Sequence, residues 1–313
     1  MSARILYSHS LGGYVRLGHN PTPFDGRDIR YTDFRPALVK AGLVPIPGVN
    51  IPAVWGHGND FGVYPMWANG PDSTAPGLAK QGCGDCEIAG KLNELYIDSH
   101  NAGRPLPVGL DGTSAVNIYS LLSGYNAFNG TNDNGLDTRT VLDYAQKTGI
   151  TDKAGKNYKI GVYFFAEPSD YQTYCEITYL FEISGIAWNF TNQMMNQFDA
   201  NQPWQYVANA TAEGGHYTAG VGPGHTLSWT RNQPFTVACY TQQSMELSSY
   251  ITAERYNAVT GQTMEHYKDA DLEKFLVLVA QTKLGITPNP RSILVPSSVT
   301  IETPVIATGQ TSL

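Results

Sequence analysis

Two cysteines stand three apart in Gln81-Gly82-Cys83-Gly84-Asp85-Cys86-Glu87-Ile88-Ala89-Gly90, at the start of a helical pattern. A cysteine opening a helix sits where the dipole and the unpaired N–H groups favour a thiolate. The thiolate, rather than the thiol, is the nucleophile. Cys86 is therefore the candidate nucleophile. Gln81, shortly before it, can donate a side-chain N–H to the oxyanion formed in acyl transfer. The spacing has two other readings. A redox Cys-x-x-Cys expects a preceding strand in a βαβ setting, which this sequence does not offer. A zinc site needs two further ligands at suitable spacing, and there is no second pair. No metal or other cofactor is expected.

Such a nucleophile needs a base, and Gly214-Gly215-His216 opens a strand that runs to Gly222. His216 beside Cys86 takes the thiol proton and returns it to the leaving group. Cys86 is then expected to open its helix and lie within about 4 Å of a His216 ring nitrogen. His225 is a rival base, although Gly224 before it marks a hairpin tip. Asn232, sixteen residues after His216, is read either as a turn residue or as the group that orients the imidazole. Trp204 and Trp229 read as core aromatics. The Asn-Asp-Asn-Gly run at 132–135 lacks the alternating acidic ligands of a calcium loop and reads as a turn.

Elements must bring Cys86 and His216 together. Ile88, Ala89, Leu92, Leu95 and Tyr96 make one apolar helical face, with Glu87, Lys91, Glu94 and Asp98 on the other. Helices are predicted over 113–124 and 137–148, a strand over 159–167, and another helix after Pro168. The second half changes to strands: HYTAGVG, HTLSW and PFTVACY. Residues 245–258 and 271–282 read as helical. Helices first and strands afterwards give an α+β class. Residues 1–80, rich in Gly, Pro, Asn and Asp, read as an N-terminal arm or wrap, 81–262 as the core, and 263–313 as a helix with an extended tail.

Bulk composition excludes several functions. The 313 residues carry a net charge of −7 and no run of Lys or Arg, against nucleic-acid binding. No apolar stretch approaches the roughly 18 residues of a membrane span. MSARILYSHSLGG lacks the apolar core of a signal peptide. Without export, the Asn-x-Thr triplets at Asn129, Asn189 and Asn209 are expected to stay unglycosylated. Charged residues make up only 15%, well under the roughly 25% of ordinary soluble domains, as suits a protein packed against neighbours.

QGCGDCEIAG resembles the active-site segment of papain-like cysteine peptidases, GGHYTAGVG their histidine strand, and LSWT (227–230) their short Trp-Gly segment. The sequence is more closely similar to a bacteriophage and bacterial group of that fold. The shared features are the Gly-Asp-Cys helix start, GYNAFNGTNDNGLDTRTVLDYAQKTGI, the GGH strand and a late helix at MELSSYITAERY. The resemblance implies a papain-like fold and a cysteine hydrolase of peptide or amide bonds acting on a peptide or protein substrate. Cys86 would attack, His216 would shuttle the proton, Gln81 would hold the oxyanion and Asn232 would stand third. It also implies that Cys83 pairs with Cys175 or Cys239, or stays reduced if the chain is not exported. Against the family pattern, Gln81 is one residue too close, Glu87 replaces the usual Trp and Leu227 replaces the usual Asn. These departures, with the two arms, support an alternative: a catalytically silent structural component of a phage particle, located in the virion or cytoplasm and joined to other virion subunits through its arms.

Overall fold

The computed structural model describes residues 4–40, 44, 82–101, 105–229 and 231–252. Gln81, the expected helix over 271–282 and the expected tail lie outside the described residues.

The chain opens with a hairpin, β1 (Arg4–Ser8) and β2 (Gly13–Leu17), then the two-residue β3 (His19–Asn20) and α1 (Tyr31–Lys40). A helical half follows: α2 (Cys86–Asn101), α3 (Gly112–Ser123), the short β4 (Leu136–Asp137) and α4 (Thr138–Lys147). Local chemistry sets its boundaries. Asp111 caps α3 through a reciprocal capping box, and Gly124 ends it in the left-handed conformation at φ 75°. Asp137 caps α4 by accepting from Thr140 N. A small hairpin, β5 (Ile150–Thr151) and β6 (Asn157–Tyr158), leads to the strand-rich half. That half holds β7 (Ile160–Ala166), α5 (Tyr171–Phe181), β8 (Ser184–Thr191), α6 (Asn192–Asp199) and β9 (Ala212–Gly222). It closes with β10 (His225–Ser228), β11 (Arg231–Pro234), α7 (Val237–Gln243) and β12 (Ser244–Thr252).

The main sheet runs β11-β10-β9-β8-β12-β7, each neighbour antiparallel. β3 adds to it against β9 and also runs parallel to β4. The expected α+β class is the class observed. One core lies between the sheet and α1, α5, α6 and α7, with Phe34, Phe164, Trp188 and Trp204 buried together. A second joins α2, α3 and α4 through Ile88, Leu92, Tyr119 and Val141. None of the helices in the described residues is long and apolar enough to cross a membrane.

Two expectations are corrected. PFTVACY is not a continuous strand: Thr236 accepts from Cys239 N and caps α7 instead. Residues 244–252 are a strand, because β12 pairs with β8 on one side and β7 on the other, and this tertiary pairing overrides local propensity. The charged face of α2 does not meet water: Glu87, Lys91, Glu94 and Asp98 are all buried. That face packs against the sheet. Lys91 bonds Glu94 at 2.6 Å, and Tyr217 OH on β9 donates to the other Glu94 oxygen at 2.8 Å. The N-terminal segment, read as an arm or wrap, packs in part on the rest of the chain. Val15 and Leu17 lie in the main core, and Asp199 accepts from Ser8 Oγ and from the backbone of His9 and Ser10.

Candidate functional site

Cys86 is the first residue of α2, as its sequence context predicts. The loop before it is fixed by Asp133, from the turn at 132–135. One Asp133 oxygen accepts from Gly84 N at 2.9 Å and Tyr119 OH at 2.7 Å, and the other pairs with Arg16 at 3.2 Å. A segment that reads as a plain turn thus aims the helix start.

The Cys86 sulfur is 1% exposed. It accepts the backbone N–H of Tyr217 at 3.4 Å, and a second backbone N–H, from Gly18, also reaches it. Burial pushes the thiol well above its usual range, and the neighbouring Glu87 charge adds to this. The two N–H donors act the other way but do not offset burial.

His216 lies on β9, also buried. Its ring stacks on Trp229, centroids 4.4 Å apart and planes within 18°, and meets the edge of Phe190. Nε2 bonds Ser228 Oγ at 3.0 Å. Nδ1 has no hydrogen-bond partner among the described residues. Burial pushes the imidazole down to about 3, with His19 contributing, so it is neutral at pH 7. Thiol and imidazole do not hydrogen-bond to each other: the backbone takes the sulfur, and Ser228 and Trp229 hold the ring. Both residues nevertheless line one cavity of about 10 Å³ with Asn93, Leu227, Ser228 and Trp229.

The remaining sequence candidates fall differently. Asn232 stands on β11 opposite Leu227, and it is Ser228 that engages the imidazole. His225 opens β10 at the hairpin tip, where Tyr174 OH holds its carbonyl at 3.0 Å; it does not line the cavity. Trp229 is a core aromatic, and it is also the face on which His216 rests. All four cysteines remain thiols, so the implied pairing of Cys83 is not made.

Two residues that sequence reasoning passed over complete the centre. His19 on β3 bonds Glu87 through Nδ1 and Oε1 at 2.5 Å, with both side chains inaccessible. Thr138 Oγ1 donates to the same Glu87 oxygen at 3.0 Å. Burial raises the Glu87 carboxyl. Burial lowers His19, but the hydrogen bond and charge of Glu87 outweigh it and raise that ring. Only the position of Glu87, directly after Cys86, signals its involvement. His19, in an irregular segment, carries no such signal.

No protein-family model and no curated protein sequence matches the chain. Among solved structures it is similar to xylellain, a cysteine protease from Xylella fastidiosa, with a TM-score of 0.48 and 14% identity over 75% of this chain and 95% of that one. It is similar to digestive procathepsin L2 proteinase from Tenebrio molitor larval midgut, with a TM-score of 0.45 and 12% identity over 75% and 78%. It is also similar to a cysteine protease from Carica candamarcensis, with a TM-score of 0.41 and 12% identity over 64% and 99%.

Proposed function

We propose that this chain is a papain-like cysteine hydrolase of peptide or amide bonds, with Cys86 as nucleophile and His216 as general base. The observation that carries the reading is a buried cysteine at a helix N-terminus sharing a cavity with a histidine whose Nε2 is occupied and whose Nδ1 is not. With Nε2–H donating to Ser228, Nδ1 holds the lone pair and takes the proton from Cys86. The sulfur then attacks the substrate carbonyl carbon, and the carbonyl electron pair moves onto oxygen. Backbone N–H groups at the start of α2, with Gln81, are suited to receive that oxyanion. Collapse breaks the C–N bond, His216 returns the proton to the departing amine, and water attacking the thioester releases the acid and restores the thiol. The closed site is a resting form, since burial leaves both partners uncharged. Admitting substrate and water moves the thiol down and the imidazole up, toward proton transfer.

The test is peptide turnover. Peptides from an unfolded protein should be cleaved by the wild-type chain, and Cys86→Ala or His216→Ala should each lower the rate by at least a thousandfold. The uncharged, closed site also favours a second reading, a silent papain-fold component of a phage particle. That reading expects no cleavage and equal, slow alkylation of Cys86 and Cys239 whether or not His216 is present. Its proposed contact is the tail, where Val295, Val299, Ile301, Val305 and Ile306 suit strand addition. Deleting residues 290–313 should then leave a folded core that no longer assembles. A truncated chain that unfolds, from a parent that is a monomer, removes this second reading's support.

A further inference from the structure

Three glycines meet where the N-terminal segment crosses the site. A side chain on Gly18 would overlap the Gly84 carbonyl, one on Gly135 would overlap the Gly18 carbonyl, and one on Gly215 would overlap the His19 carbonyl. Gly84 shortly precedes Cys86, and Gly215 immediately precedes His216. The backbone of Gly18–His19 thus runs, extended, through a slot with bare main chain on each of these sides. It is held as a strand is held. Leu136 N donates to Gly18 O at 2.8 Å, His19 pairs antiparallel with Gly215, and Gly18 N–H reaches the Cys86 sulfur. The flanks are anchored separately, Leu17 and Ile29 both lying in the main core. Between them, His19-Asn20-Pro21-Thr22-Pro23-Phe24 contains no regular element beyond β3, and Phe24 is 83% exposed. Residues 18–24 can therefore bow outward without disturbing either anchor. The His19–Glu87 bond and Asn20 Nδ2 to Asn134 O, at 2.8 Å, hold the near end of the segment in, and Arg139 Nε donating to buried Asp28 at 3.1 Å fixes its far end.

We infer that this slot is a groove for an extended peptide that accepts glycine, and no larger residue, against the thiol, and that Gly18-His19 of the same chain fills it in the resting state. The inference rests on the hydrolase reading above and deepens it: substrates carry Xaa-Gly at the reacting position, and the site works only after residues 18–20 leave. Each glycine has then a specific reason to be there. A Cβ at Gly135 or Gly215 would close the slot to any backbone, and one at Gly18 would not fit within it.

The experiment opens the slot without adding bulk. Glu87→Gln removes the charge that holds His19, and His19→Ala removes the ring; two variants guard against one failing to fold. Iodoacetamide should label Cys86 in either variant more than tenfold faster than in the wild-type chain, with Cys239 as internal reference. Acetyl-Leu-Gly-aldehyde, which adds reversibly to thiols, should then protect Cys86 at concentrations at least tenfold below those needed by acetyl-Leu-Ala-aldehyde. Equal protection by the two aldehydes, or labelling no faster than in the wild-type chain, overturns the glycine slot. Fast labelling of Cys86 that persists unchanged in the Glu87→Gln/His216→Ala double variant leaves the slot standing and overturns the hydrolase reading instead.

Discussion

At the scale of single residues, His216 is held by one hydroxyl and one indole. Replacing Ser228 with Ala strands a buried ring nitrogen, which costs about 1–3 kcal/mol. Ser228→Ala should therefore lower stability by that amount in urea denaturation and reduce peptide turnover in parallel, whereas Asn232→Ala should leave the ring's hydrogen bond intact. The imidazole also sets an acid limit. Its folded value of about 3 lies below the ordinary 6.5, so between those values the unfolded chain binds a proton that the native chain does not. Stability that is fully present above pH 6.5 is lost as pH falls toward 3. Glu87, raised to about 7 by burial, works in the opposite sense between 4.5 and 7, because there the native chain holds the extra proton. The His216 loss should thus emerge clearly only below about pH 4.5, and His216→Gln should flatten that limb of a stability–pH curve. Cys86 and His216 were legible from residue type, order and local pattern. Ser228 was within reach too: the Gly222-Pro223-Gly224 turn pairs Leu227 with Ala219, which brings Ser228 back toward His216. Asn232 was favoured by spacing alone, and spacing ignores that turn.

Among the elements, α2 is unusual in burying a polar face as completely as its apolar one. Lys91, Glu94 and Tyr217 form a closed set in which Lys91 Nζ donates to Glu94 and to Tyr217 OH at 3.1 Å, and that hydroxyl donates back to Glu94. Breaking such a pair leaves an uncompensated buried charge, at about 3–5 kcal/mol. Lys91→Met and Glu94→Gln should each show a loss of that order in denaturant titration. The double variant should lose clearly less than their sum, since neither charge is then left alone. Periodicity identified the helix and set Lys91 and Glu94 on its polar side, but a one-dimensional pattern cannot foresee a sheet packed there. The same limit explains β12. Ser244–Thr252 carries no strong signal against a helix, and its strand state comes from partners on both edges. α3, α4, β7, α5 and β9 carried their own caps, turns or β-branched runs and lie where the pattern put them.

Across the whole molecule, the order of helices before strands was enough to give the α+β class, while the role of the N-terminal segment was not. Its composition suggested an arm or wrap without saying what it packs on, and Val15, Leu17, Tyr31 and Phe34 are core residues. Removing residues 1–20 should expose that core, seen as increased dye binding and a lower melting temperature. An arm that merely contacts neighbours would leave both unchanged. β3 explains the difference. His19 pairs with Leu136 in the helical half and with Gly215 in the strand-rich half, so two short strands bridge partners very far apart in sequence. Such pairings form late, because the loops they close carry a large entropy before any contact repays it. During synthesis, the pairing of residues 18–20 cannot be completed until β9 has emerged. Helix signal should accordingly return early in refolding, and protection of Cys86 from alkylation should return in the slowest phase. The site would then be the last part of the molecule to come into existence, absent from every compact form that precedes the native one.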